Sequence, residues 1–251
     1  MVQDGSNDRN KSARSKGPAV QPSPSSKLRK LFDFAHSLFL TQRFFVPFAV
    51  ATFVLDALFT LVIIRKVAYT EIDYSTYMQQ VAHFLKGQRD YRSIQGDTGP
   101  CVYPAGHLYA YTFFHWLTDA GKDLRTGQYA FGLLYLTCQA AVIEVYRKAG
   151  APSLLLFMLP ISKRLHSIYV LRLFNDGVAM TVMWIALVFV AHRKISAAVV
   201  LTSIALSIKM NILLFVPGLA IVVYGERGLL RGLVDASLLV TVQVSVAYVL
   251  A

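Results

Sequence analysis

FFVPFAVATFVLDALFTLVII, residues 44 to 64, carries a single ionisable residue, Asp56, in 21 positions. As a helix rising about 1.5 Å per residue it reaches roughly 30 Å, the thickness of a bilayer's hydrocarbon core. The stretch therefore predicts a transmembrane helix. An acid inside such a span turns toward the bundle interior and finds a partner there, so Asp56 reads as a packing contact with another helix.

The rest of the chain agrees with that first span. Of 251 residues, 55% are apolar and only 16% charged, and the mean hydropathy is +0.48. That is more apolar surface than one soluble core hides. Further apolar runs follow at about 104 to 118, 128 to 146, 151 to 170, 178 to 191, 195 to 224 and 232 to 251. The expected fold is all-α, a polytopic transmembrane helical bundle.

A net charge of +11 invites a nucleic-acid reading, but the distribution argues against it. Arg9, Lys11, Arg14, Lys16, Lys27, Arg29, Lys30 and Arg43 all precede the first span, in a segment rich in Ser, Pro, Asn and Gly. Such a segment cannot bury a core. Residues 1 to 43 are thus expected to be a disordered basic cytosolic tail with an interfacial segment, and 44 to 251 a multi-span domain. The positive-inside rule keeps the N-terminus cytosolic and puts the loop 67 to 103 on the far side. Within that loop Ile72, Tyr77, Val81, Phe84 and Leu85 recur at helical spacing, predicting an amphipathic helix on the membrane surface. Gly96, Gly99 and Pro100 then break it.

Polarity can be followed further. "HRK" at 192 to 194 and "GERGLLRG" at 225 to 232 are basic loops of the cytosolic side. The apolar stretch between them would be about 45 Å of helix, too long for one crossing, so it is expected to cross twice with "SIKMN", 207 to 211, at the far surface. The same reasoning places "LRLFNDG", 171 to 177, on the far side. "PISKRLHS", 160 to 167, either interrupts one helix or separates two short ones. The chain stops at "VSVAYVLA" inside an apolar span, which predicts an incomplete bundle.

Three polar clusters thus share one face, an arrangement suited to glycosyl transfer from a lipid phosphate. A sugar phosphate leaves as a stable anion, so one carboxylate suffices as general base on the acceptor hydroxyl, with cations to hold the phosphate. Asp73 or Glu71 can be that base, and Lys209, Arg172 and His166 are candidate phosphate holders. Each feature also has a plainer reading. The two acids fit a solvated helix boundary, Lys209 a snorkelling cation, and Arg172 with Asp176 an ion pair across one helical turn. His107 and His115 fit interfacial or packed histidines. No His, Cys and acid set stands at metal-ligand spacing, which leaves a divalent metal undecided. A polytopic transporter or a non-catalytic membrane subunit is the competing class, in which Asp56, Arg172 and Lys209 would be buried pathway charges.

"EIDYSTYM", "GDTGPCVYPAG", "HSIYVLRLFND" and "SIKMN", in this order and spacing, resemble the dolichyl-phosphate-mannose-dependent alpha-1,3-mannosyltransferases of the endoplasmic reticulum, polytopic enzymes of the GT-C class. The resemblance covers roughly residues 30 to 251. It implies a lumenal active site and an inverting transfer of mannose from dolichyl-phosphate-mannose to the dolichyl-pyrophosphate-linked oligosaccharide Man5GlcNAc2, a step in N-glycan precursor assembly. It implies no certain cofactor, and lipid-linked sugars rather than nucleic acid as partners. The GT-C base lies in the first lumenal loop, a position filled here by Asp73 with Glu71 beside it. The same strings supply Asp97, Tyr103, Asn175 and Asp176 as substrate-binding candidates, and Tyr74 as a ring for sugar stacking. Members often carry Trp at the position of Tyr74 and Pro at that of Gly177, and run well past the end of this chain.

Overall fold

The computed structural model describes residues 24 to 248, and the first part of the expected basic tail lies outside them. Pro24–Leu40, the part of the expected tail and interfacial segment that precedes the first span, is a helix, α1. Leu28, Leu31, Phe32 and Phe34 stay exposed on it, as suits a helix resting on lipid. The first span is α2, Phe45–Lys66, closed by Arg65 and Lys66 in its last turn, where cations meet the negative end of the helix dipole.

Asp56 on α2 is fully buried. Its Oδ2 accepts from the Tyr135 hydroxyl at 2.7 Å and Gln139 Nε2 at 2.6 Å, and its Oδ1 faces His166 Nε2 at 3.0 Å. Tyr135 and Gln139 lie on α5, Leu124–Lys148, which the Asp123 carboxylate starts by accepting from the Thr126 amide at 3.0 Å.

The amphipathic helix appears as α3, Tyr74–Leu85, and the glycines after it form a two-residue ladder between β1, Gln95–Gly96, and β2, Gly99–Pro100. The run at 104 to 118 becomes α4, Ala105–Leu117, which does not cross. Thirteen residues give only about 20 Å of helix. Gly106 at its start abuts Ser207, and Thr118 at its end meets the Tyr74 hydroxyl at 3.1 Å, so α4 lies across one end of the bundle.

The run at 151 to 170 breaks into a 3-10 turn Ser153–Met158, a four-residue helix α6, Lys163–His166, and one π-helical turn Ser167–Leu171. The chain then bends by 112° into α7, Asn175–Ala191. At the bend Leu173 has φ 50°, a left-handed conformation costly for a β-carbon-bearing residue. Neighbouring elements hold it there. The Tyr111 hydroxyl donates to the Leu173 carbonyl at 2.7 Å, Gln128 Nε2 to the Val170 carbonyl at 2.8 Å, and the Thr70 amide to the Leu171 carbonyl at 2.9 Å.

Helix α8, Ile195–Ile208, returns and stops at an extended Lys209. After a 3-10 turn, Met210–Phe215, α9 runs Val216–Tyr248 with a break at Gly228, φ 73°. There the chain folds back: Arg227 Nη1 lies 3.1 Å from Asp235 Oδ2, and the Ser196 hydroxyl donates to Asp235 Oδ1 at 2.9 Å. The reversal sits inside the basic segment 225 to 232, where a loop was expected. Three helices among the described residues are long and apolar enough to cross a membrane, or four if the bent pair counts as one span.

Candidate active site

The carboxyl end of α2, helices α3 and α4, the amino end of α7 and the carboxyl end of α8 converge at one end of the bundle. Their side chains separate the two acids by role. Glu71 Oε1 accepts from the Ser75 amide at 3.1 Å and Oε2 from the Tyr69 hydroxyl at 2.5 Å, so Glu71 satisfies a free donor at the start of α3. Asp73, the residue flanking that helix, makes no such cap. Its only side-chain hydrogen bond among the described residues is a long one, 3.3 Å from the Thr98 hydroxyl. Asp73 therefore keeps a half-exposed carboxylate with lone pairs to spare.

Lys209 is built in from the opposite side. Its ammonium donates to Asp176 Oδ2 at 2.5 Å and Asn175 Oδ1 at 2.9 Å, and stands 5.6 Å from the Tyr103 ring centre. Asn211 Nδ2 reaches Asp176 Oδ1 at 3.4 Å. Asn175 Nδ2 in turn donates to His107 Nδ1 at 3.5 Å, which puts the ring proton of His107 on Nε2. That nitrogen is buried and has no partner among the described residues. Burial, helped by the nearby Lys209 charge, lowers the His107 pKa to about 3, so the imidazole is neutral.

Tyr77 joins the two halves. Its hydroxyl lies 3.4 Å from that of Tyr103, and its ring packs edge-on to His107 at 4.8 Å. Burial raises the Tyr77 pKa well above the usual phenol value, the Tyr103 contact adds to this, and the charges of Asp73 and Asp176 push in the same direction. Both carboxylates thus act on one phenol.

Several expected site residues are placed elsewhere or differently. His166 is buried against Asp56 in the span and does not join the phosphate-holding candidates; an acid in hydrocarbon needs a partner more than the surface needs another cation. Tyr74 is 1% exposed, its ring enclosed near Tyr111 and its hydroxyl on Thr118, so it presents no face for a sugar. Asp97 Oδ2 accepts from Gln79 Nε2 at 2.6 Å while its amide donates to Gln79 Oε1 at 2.7 Å, which staples the hairpin to α3. Arg172 does not pair with Asp176, whose partner is Lys209; the guanidinium stands 5.8 Å from the Phe174 ring centre. Sequence reasoning read His107 as an interfacial or packed histidine and Tyr77 as part of the amphipathic pattern, and assigned neither to the site. Both sit in apolar helical patterns, and nothing in their spacing marks them. Among the described residues no group of three or more His, Cys, Asp and Glu side chains is placed to hold a metal ion.

Membrane-length helices that bring Asp73, Asp176 and Lys209 to one end, beside the short helices α3 and α4, define a polytopic membrane protein with a candidate site at that end. The chain belongs to the ALG3 protein family, whose family model matches residues 50–251. Among curated relatives, a Neurospora crassa protein named Dol-P-Man:Man(5)GlcNAc(2)-PP-Dol alpha-1,3-mannosyltransferase is 45% identical over 178 residues, 71% of this chain and 40% of its own length. A Cryptococcus neoformans protein of the same name is 40% identical over 84% of this chain and 50% of its own length. The mouse protein of that name is 44% identical over 67% and 40%. The chain spans half or less of the length of these relatives. No solved structure matches it.

Proposed function

We propose that this chain carries the catalytic end of a GT-C mannosyltransferase of the endoplasmic reticulum membrane, with its N-terminus cytosolic and the Asp73 face lumenal. The donor is dolichyl-phosphate-mannose, the acceptor Man5GlcNAc2 on dolichyl pyrophosphate, and the new bond alpha-1,3. Family membership and the printed names of the relatives support the reaction. The observation that carries the site is the division of labour between the acids, with Glu71 tied to the start of α3 and Asp73 left with one long hydrogen bond among the described residues.

The chemistry follows from that arrangement. Asp73 takes the proton of the acceptor 3-hydroxyl as its oxygen attacks the anomeric carbon. The bond from that carbon to the phosphate oxygen breaks, and dolichyl phosphate departs with the electron pair. Attack opposite the leaving group inverts the centre, as conversion of a beta donor to an alpha product requires. Lys209 supplies positive charge, and the neutral His107 an N–H with no partner among the described residues, to meet the charge that develops on the phosphate. Against the transporter reading, Asp56, the acid within the first span, is already held by Tyr135, Gln139 and His166.

The test is mannose transfer in microsomes lacking their own enzyme, supplied with both lipids, by this chain and by a version extended to the length of its relatives. Asp73→Ala is expected to lower transfer about 10^2- to 10^4-fold, the usual contribution of a general base, with the protein still inserted. Near-normal turnover in that variant removes Asp73 from the mechanism.

A further inference from the structure

Lys163, Arg164 and Arg172 line one cleft of about 440 Å³ beside Ser167, with Asp176 at its edge. None of the three has a carboxylate within salt-bridge distance among the described residues, and the Asp176 carboxylate is already held by Lys209. The Arg172 Nε is buried without a partner among the described residues. The four-residue α6 that carries Lys163 and Arg164 also carries His166, which meets Asp56 near the middle of α2, so this segment packs along the first span while both cations stay exposed. Unpaired cations there call for an anion.

A second cavity continues the first. An apolar groove of about 340 Å³, lined by Leu159, Leu165, Met180 and Trp184, shares Ile168 and Asp176 with the cationic cleft. Beside them Met158 and Ile161 are 59% and 66% exposed, a lipid-facing strip. A compact anion joined to a long apolar chain matches both halves. Inorganic phosphate would fill the cleft alone.

We infer that this pair of cavities binds a polyprenyl phosphate, its phosphate among Lys163, Arg164 and Arg172 and its isoprenoid chain along the Leu165 and Trp184 groove. The assignment rests on the mannosyl-transfer reading for which lipid this is: the donor, whose phosphate then lies one carboxylate away from Lys209. In that position the departing phosphate is received by cations on the broken segment, while Lys209 remains fixed to Asn175 and Asp176. Lys163 and Arg164 are thereby donor-binding residues that neither the sequence motifs nor the family match singled out.

Two measurements on the chain purified in detergent test this. Binding of a radiolabelled polyprenyl phosphate, read by its retention on the protein, is expected to weaken about 10-fold or more in Lys163→Ala/Arg164→Ala, roughly the loss of one charge-assisted hydrogen bond. Charge-retaining Lys163→Arg should restore most of it. Trp184→Phe should weaken long-chain phosphates more than short-chain ones. Polyprenol without phosphate, and inorganic phosphate alone, should each fail to compete. In the transfer assay the double variant should raise the donor KM by a similar factor and leave the acceptor KM unchanged. Equal affinity in wild type and double variant, or full competition by inorganic phosphate, overturns the site. Binding that behaves as expected without any mannose transfer retains the site and removes only its assignment to the donor.

Discussion

The Lys209 ammonium lies 2.5 Å from the Asp176 carboxylate although 33 residues separate them in the chain. It joins the start of α7 to the end of α8 where the polar strings converge. With side chains only 22% and 32% exposed, the pair is partly withdrawn from water, and removing one partner strands the other. Lys209→Met should cost about 1–3 kcal/mol of stability. Lys209→Met/Asp176→Asn should recover much of that loss and still transfer poorly. Thermal unfolding in detergent beside a transfer assay checks both halves, and an additive double variant would mean that the two side chains are not coupled.

Glu71 and Asp73 should fail in different ways. Glu71→Ala removes the acceptor for the Ser75 amide and is expected to cost about 1 kcal/mol while sparing most of kcat. A loss of kcat in Glu71→Ala as deep as that of Asp73→Ala, in protein of normal stability, would exchange their roles.

Asp56→Ala leaves the Tyr135 hydroxyl, the Gln139 amide and the His166 ring without their common partner inside the span. Each orphaned buried group costs about 1–3 kcal/mol, so this should be among the most destabilising single changes in α2. Protein abundance and unfolding midpoint should fall together. Donor KM in the surviving molecules should rise as well, since the freed His166 shares the four-residue α6 with Lys163 and Arg164.

His107 gives the site a pH dependence of known sign. Its pKa falls from 6.5 unfolded to about 3 in the fold, so the neutral ring contributes stability that is complete above 6.5 and is lost as pH drops from 6.5 toward 3. The slope contributed is at most about 1.4 kcal/mol per pH unit for one proton. His107→Gln should flatten the stability profile over that interval, and an unchanged profile would mean that the ring is already free to protonate in the fold.

Much of this arrangement was readable before any coordinates. The apolar run at 44 to 64, the helical spacing from Ile72 to Leu85 and the glycines after it are local signals, and α2, α3 and the β1–β2 turn follow them. The break at Lys209 was legible because a 30-residue apolar stretch is too long for one crossing. The strings that carry the family resemblance also contain Asp73, Lys209, Asn175 and Asp176, and the fold joins the last three by direct hydrogen bonds.

The tertiary structure decided which polar groups are consumed by the fold and which are left for chemistry. The polar strings show Glu71 and Asp73 as equals, and His166 and Arg172 as similar cations. Asp56, more than a hundred residues from His166 in sequence, draws that ring into the span, while Thr118 and Tyr111 enclose Tyr74 and Asn175 orients His107. Local patterning sets which segments enter the membrane, since hydrophobic transfer adds up residue by residue along the chain. Pairing of buried polar atoms is a contest among groups far apart in sequence, settled only when helices pack and each orphaned donor or acceptor carries its full desolvation cost.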